Sequence, residues 1–287
     1  MVWEAYTLVN KDYLRMRLIL RNRMMRSFFV LCALIGGAVQ AWTGELRIHR
    51  IDKLGEHSKA SPRFDHGEAR AEARTVFAEL AQRHEWNFSQ ASDSKIFTDE
   101  GLSQIDVIVF DNNSGLLFNE SEKAAFEKWV TNGGGVVGVH GASYAHKAVS
   151  SDNNAAWPFW YGLWGVLHKT GPKNGPQGRR GYADWIVMKG EGVKGSDRLP
   201  KRWQLEKVEW YFWNYHADYA SVRVLATAEV KQNQPELPSV YPVTWCHEYQ
   251  GGRVWYTNMG HYAENYRQPE FVQHLLNGIQ WVAGKRE

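Results

Sequence analysis

The sequence predicts an α/β fold with a largely parallel sheet flanked by helices, and three adjoining segments carry that reading. Ile105-Asp106-Val107-Ile108-Val109-Phe110 is a short, nearly continuous apolar run, the pattern of a strand buried on both faces. Ala125, Phe126, Trp129 and Val130 then share one side of a helix that Asn119 and Glu122 are placed to cap reciprocally. Asn132-Gly133 suits the left-handed backbone beyond a helix end, and Val136-Val137-Gly138-Val139 follows as a second buried strand. Strand, helix and strand in that order are the minimal signature of a parallel crossover.

The elements on either side extend the same architecture. Met25-Arg26-Ser27, the apolar run Phe28 to Ile35 and the small residues up to Ala41 follow the order of an export signal, with cleavage predicted after Ala41. Residues upstream of Met24 do not belong to such a signal, so translation is expected to start at Met24 or Met25. The apolar run is too short for a stable membrane anchor, and a periplasmic or secreted location is expected. Residues 1–41 are thus read as an upstream extension and signal, 42–67 as an N-terminal segment without a clear pattern, and 68–287 as the main part of a single domain. Ala73, Val76, Phe77 and Leu80 mark a sheet-covering helix within Glu68 to Arg83. Later strands are expected at Trp185 to Met188, Val222 to Ala226, Tyr241 to Trp245 and Arg253 to Tyr256. Pro269 opens a last helix whose apolar stripe runs from Phe271 to Val282.

Composition excludes several functions. The net charge is +3, and Arg15, Arg17, Arg21, Arg23 and Arg26 all precede the cleavage point, so no basic stripe remains to neutralise a nucleic-acid backbone. Removal of Cys32 with the signal would leave Cys246 alone, which excludes an internal disulfide framework and reads as a buried thiol. The 14 Trp can pack a core or stack on sugar rings, and a small polar ligand is the expected partner.

The segment most informative about chemistry is Gly133-Gly134-Gly135-Val136-Val137-Gly138-Val139-His140-Gly141-Ala142. Its glycines permit a sharp turn that presents His140 at the carboxyl end of a strand, the usual ligand-bearing edge of a parallel sheet. No Gly-Lys-Ser/Thr follows, so it is not a P-loop, and His stands where a nucleophile elbow carries Ser.

With that segment, Val107 to Asn113, Glu209-Trp210-Tyr211, Pro242 to Trp245 and Gly252 to His261 occur in an order that resembles the ThuA-like, trehalose-utilisation family, over about Glu68 to Gly284. The resemblance implies a doubly wound sheet like that of the class I glutamine amidotransferases, with His140 at the nucleophile-elbow position. An imidazole cannot replace the cysteine of thioester-forming glutamine hydrolysis, so glutaminase activity is not expected. It also implies an association with trehalose and 3-keto sugars, and site positions at His140, His168, Glu209 and His261. Phe64-Asp65-His66 matches a Phe-x-His segment of the family, although Leu46 to Ile51 is more charged than its usual first strand.

If these groups converge, His140, Glu209 and His261 form a catalytic set in which carboxylate and imidazoles exchange protons. The same donors suit zinc or another divalent metal, without a compact His-Glu-x-x-His helix to specify one. Asn112, Asn113, His168, Trp210 and Trp245 are candidate sugar contacts, with Trp213 a further stacking surface. For the three tryptophans a core position is the competing reading, and for the asparagines a turn cap. The expected function is an exported carbohydrate-processing enzyme acting as a sugar isomerase, lyase or hydrolase; the alternative is a noncatalytic carbohydrate-binding or pathway-assembly domain. No pair of carboxylates marks a glycoside hydrolase.

Overall fold

The computed structural model describes residues 45–55, 65–146, 157–165, 180–189, 198–211, 221–229 and 240–284. The predicted export signal and its cleavage point, and with them His168 and Trp213, lie outside these residues. Residues 45–287 form one compact unit, and among the described residues no helix is long and apolar enough to cross a membrane.

A sheet of nine strands runs through the unit: β1 Arg47–Ile51, β2 Asn87–Ala91, β3 Val107–Asp111, β4 Gly135–Val139, β5 Arg180–Met188, β6 Arg202–Glu209, β7 Arg223–Glu229, β8 Val240–Tyr249 and β9 Gly252–Thr257. Their order is β2-β1-β3-β4-β9-β8-β7-β5-β6. The five strands from β2 to β9 are mutually parallel, as expected, and β3 and β4 are buried throughout. From β9 to β6 every pairing is antiparallel, so the sheet is mixed.

Helices cover both faces. On one, α1 Gly67–Arg83 buries Ala73, Val76, Phe77 and Leu80, joined in the same core by Phe271, Leu275 and Ile279 of the C-terminal helix. On the other lie α2 Asp99–Leu102, α3 Glu120–Thr131 and α4 Pro158–Trp164. The C-terminal helix, α5 Pro269–Val282, begins on proline as predicted. The capping box of α3 is present in both directions: Asn119 Oδ1 accepts from Glu122 N at 3.0 Å, and Glu122 Oε2 accepts from Asn119 N at 2.8 Å. The aromatic-rich run Pro158–Trp164 forms α4. Its Trp164 lies so close to β4 that a Cβ on Gly138 would meet the ring at 2.3 Å, and this contact requires glycine there.

The charged first segment is a strand after all. Arg47 pairs with Asp106 at 2.6 Å at the edge of the core. Arg50 is fully buried, with Nη1 3.0 Å from Asp52, Nε 3.1 Å from Asp111, and Nη2 ion-paired to Asp111 as well. A buried guanidinium is tolerated because each side of it meets a carboxylate or a carbonyl, the last being Arg70 O at 3.1 Å.

The edge strand β6 is held by side chains in place of a tenth strand. Gln268 accepts from Glu206 N at 3.1 Å and donates to Gln204 O at 3.1 Å, while Asn265 donates to Lys207 O at 2.8 Å. Cys246 is buried and its thiol is pushed up to about 11 by desolvation, in line with an inert core residue.

Three histidines away from the strand-end turns sit in apolar surroundings. Desolvation lowers His49 to about 4, His146 to about 3 and His274 to about 3. Between the ordinary imidazole value and these, the unfolded chain binds protons that the native chain refuses. Stability is therefore full above about pH 6.5 and falls as the pH drops toward 4, by up to about 1.4 kcal/mol per pH unit for each histidine. Urea midpoints at pH 7.5 and 5.5 should show the loss, and His274→Gln should reduce it; equal midpoints at the two pH values would refute the assignment.

Candidate functional site

The carboxyl ends of β3, β4, β6 and β9 meet at one place. His140 follows β4 directly, with φ 45°, a left-handed conformation rare for a side chain of this size. The turn is held from beneath by Tyr256, whose hydroxyl donates to His140 O at 2.9 Å. Glycine suits the next position, since a Cβ on Gly141 would crowd the Asn112 backbone, with Cα at 3.1 Å.

The His140 ring donates from Nδ1 to Asn258 O at 2.9 Å, which turns Nε2 toward the rest of the cluster. That nitrogen lies 3.0 Å from His261 Nδ1 and 3.4 Å from Glu209 Oε2. His261 Nδ1 is in turn 2.7 Å from Glu209 Oε2. Residues 140, 209 and 261, each predicted on a separate segment, are thus brought together.

Burial alone would raise the Glu209 carboxyl. Hydrogen bonds and charge from His140 and His261 outweigh it, holding the group well below the usual carboxylate range. Glu209 stays ionised.

His66 completes the cluster from the N-cap of α1, also left-handed at φ 47°. Its ring lies edge-on to those of His140 and His261, with centroids 5.2 and 4.8 Å away. One ligand atom from each of His66, His140, Glu209 and His261 falls within 4.8 Å of all the others. A tetrahedral ion with bonds of about 2.1 Å needs ligand atoms about 3.4 Å apart, so three imidazoles and a carboxylate here can coordinate a metal such as zinc with small adjustments.

The family model for trehalose utilisation, ThuA, matches residues 59–282. The chain belongs to the ThuA family. Among solved structures, a ThuA-like protein from Bacteroides uniformis is 23% identical, with a TM-score of 0.65 over 88% of this chain and 97% of that one. A second, from Parabacteroides merdae, is 18% identical with a TM-score of 0.59, covering 84% and 91% of the two chains. A cytoplasmic protein from Salmonella typhimurium shares the fold at 12% identity and a TM-score of 0.51, over 72% and 86%. No curated protein matches the chain.

Other residues singled out in this ThuA-family sequence lie apart from the four-residue cluster or are committed to holding it. Asn112, left-handed at φ 52°, donates from Nδ2 to Gly260 O at 2.9 Å and Tyr266 Oη at 3.3 Å, and its Oδ1 faces Gly141 N at 3.4 Å. Asn113 donates to Ile51 O and Lys53 O at 3.2 and 3.1 Å. Both are fully buried and stitch turns together. Trp210 and Trp245 are buried in the two cores, their indoles donating to Asp184 at 2.8 Å and Trp164 O at 2.7 Å; neither presents a face to a ligand in this arrangement.

Two neighbours of the cluster carried no assigned role in the sequence. Tyr211 stacks on the His140 ring at 4.2 Å and 27°, and the Asn258 carbonyl accepts the hydrogen bond from His140 Nδ1. Each stands in a quoted motif, and the available signal was a polar residue directly after a buried strand, at Thr257-Asn258. Trp210→Phe deprives the buried Asp184 of its indole donor, with an expected loss of about 1–3 kcal/mol in urea unfolding and little change in sugar affinity. Wild-type stability together with lost affinity would instead make Trp210 a sugar contact.

Proposed function

We propose that this protein is an exported sugar-processing enzyme in which His140, Glu209 and His261 move protons beside the carbonyl of a trehalose-like or 3-keto sugar. The observation that carries the reading is the convergence of one carboxylate oxygen on two imidazole nitrogens, at 2.7 and 3.4 Å, from three distant segments at the sheet's carboxyl edge. Family membership supports a carbohydrate as the substrate class, and export rests on the N-terminal sequence pattern.

A carboxylate held ionised beside an imidazole stabilises the imidazolium formed when that ring takes a proton. His261, with its side chain 17% exposed against 0% for His140, is the ring nearest an incoming sugar and is assigned the base. It removes the proton from a carbon next to the ketone, and the C–H electron pair becomes the enolate. Either the proton returns to a different carbon, giving isomerisation, or the enolate expels a β-oxygen, giving elimination. A divalent cation held by His66, His140, Glu209 and His261 would supply Lewis-acid polarisation of the carbonyl oxygen.

Incubation with 3-keto-trehalose in deuterated water, with product identification, tests the reading directly. Deuterium uptake and turnover are expected from the wild type and should fall at least about 100-fold in Glu209→Gln and His261→Ala. Neither uptake nor product, with or without added zinc, cobalt or manganese, would defeat the enzymatic proposal. Sugar binding without conversion, unchanged by His140→Ala, would favour a binding domain.

A further inference from the structure

We infer that Asn258 is the positioning residue of the cluster, fixing the His140 ring directly and His66 and Glu209 through Tyr211. This rests on reading the cluster as the working site. Asn258 is fully buried, immediately after β9, and every polar group it has is committed. Its N–H donates to Val243 O at 2.7 Å, which ties it to β8. Its carbonyl takes the His140 Nδ1 proton at 2.9 Å. Its side chain makes a two-point clamp on the backbone of one residue of the chain leaving β6: Oδ1 accepts from Tyr211 N at 3.2 Å, and Nδ2 donates to Tyr211 O at 2.9 Å.

Each contact has a consequence for a cluster residue. A carbonyl can only accept, so the bond to Asn258 O selects the His140 tautomer with its proton on Nδ1 and aims Nε2 at Glu209 and His261. Tyr211 lies two residues beyond Glu209, so clamping its backbone pins the end of the strand that carries the carboxylate. The clamped Tyr211 then lays its ring on His140 at 4.2 Å and places its hydroxyl 3.4 Å from His66 Nε2. One asparagine thereby joins the parallel half of the sheet, which supplies His140, to the outermost antiparallel strand, which supplies Glu209. Partners of this kind outside the reacting shell typically change affinity or activity about 10- to 100-fold when removed.

An amide is required for the clamp. Asn258→Asp is nearly isosteric but has no donor for Tyr211 O and sets a carboxylate against that carbonyl. Tyr211→Phe removes only the hydroxyl and keeps the ring on His140. The test is the long-range nitrogen–proton spectrum of 15N-histidine-labelled, metal-free full chain at pH 7.5, where the tautomer of each neutral ring is read directly. Wild type should show His140 as a single tautomer protonated on Nδ1. Asn258→Asp keeps the main-chain carbonyl and therefore the tautomer, but by releasing Tyr211 it should shift the ring-nitrogen signals of both His140 and His66, whereas Tyr211→Phe should alter His66 alone. Deuterium uptake from the keto sugar should fall about 10- to 100-fold in kcat for Asn258→Asp, with KM changed less than threefold.

Wild-type His140 and His66 signals in folded Asn258→Asp overturn the assignment, and an unchanged His66 spectrum in Tyr211→Phe removes its second arm. Asn258→Ser, which also deletes the donor, serves if the aspartate variant does not fold. The spectra need no substrate or metal, so they decide this inference even if no keto sugar is turned over.

Discussion

Glu209 belongs to the outermost strand of the sheet, whereas His140 and His261 follow strands at its centre. Strands lie about 4.8 Å apart, so in a flat sheet the four steps from β9 to β6 and the five from β4 would leave the carboxylate roughly 19 Å from His261 and roughly 24 Å from His140. The observed contact of 2.7 Å therefore demands that the antiparallel half curl back over the face covered by α1 and α5. Apolar burial drives the curl, since Trp203, Leu205, Val208 and Trp210 share a core with Phe77, Leu275 and Ile279. Polar side chains then fix its depth, through Gln268 and Asn265 on the β6 backbone and Asn258 on the segment beyond.

Beneath the cluster a second set of buried groups joins the parallel strands. Arg50 of β1 pairs with Asp111 of β3, and Tyr266 donates to the same carboxylate at 2.7 Å. Asn112, next in sequence, reaches Gly260 and Gly141, the residues beside His261 and His140. A charge sealed in the core thus bears on two turns that present imidazoles. Such a network is costly unless every member is satisfied, which explains why an arginine can occupy a central strand.

Much of this was legible in the sequence where one physical effect dominates. Apolar runs gave β3 and β4, the reciprocal cap gave α3, and the glycine-flanked His140 gave the strand-end turn. Legibility failed where two effects compete. Leu46 to Ile51 looks too charged for a buried strand because the carboxylates that neutralise Arg47 and Arg50 lie more than 50 residues away or just beyond the run. In β6 the alternation of Trp203 and Leu205 was present, but the register shifts between β5 and β6 break it before Val208. Convergence of His66, His140, Glu209 and His261 could not come from spacing at all; it depends on the curl of the sheet and came into view through family resemblance. Trp210 and Trp245 show the opposite limit, since composition alone does not tell a stacking platform from a core side chain.

The amide of Gln268 has a consequence beyond seating β6. An outer strand exposes unpaired donors and acceptors that can recruit a second chain, and β6 is such a strand, with β5 paired to its inner side. Among the described residues no strand pairs with the outer side of β6, and by occupying Glu206 N and Gln204 O together one side chain takes such a neighbour's place and blunts the rim. The pair of bonds that blunts the rim thus also helps to seat the strand that carries the carboxylate.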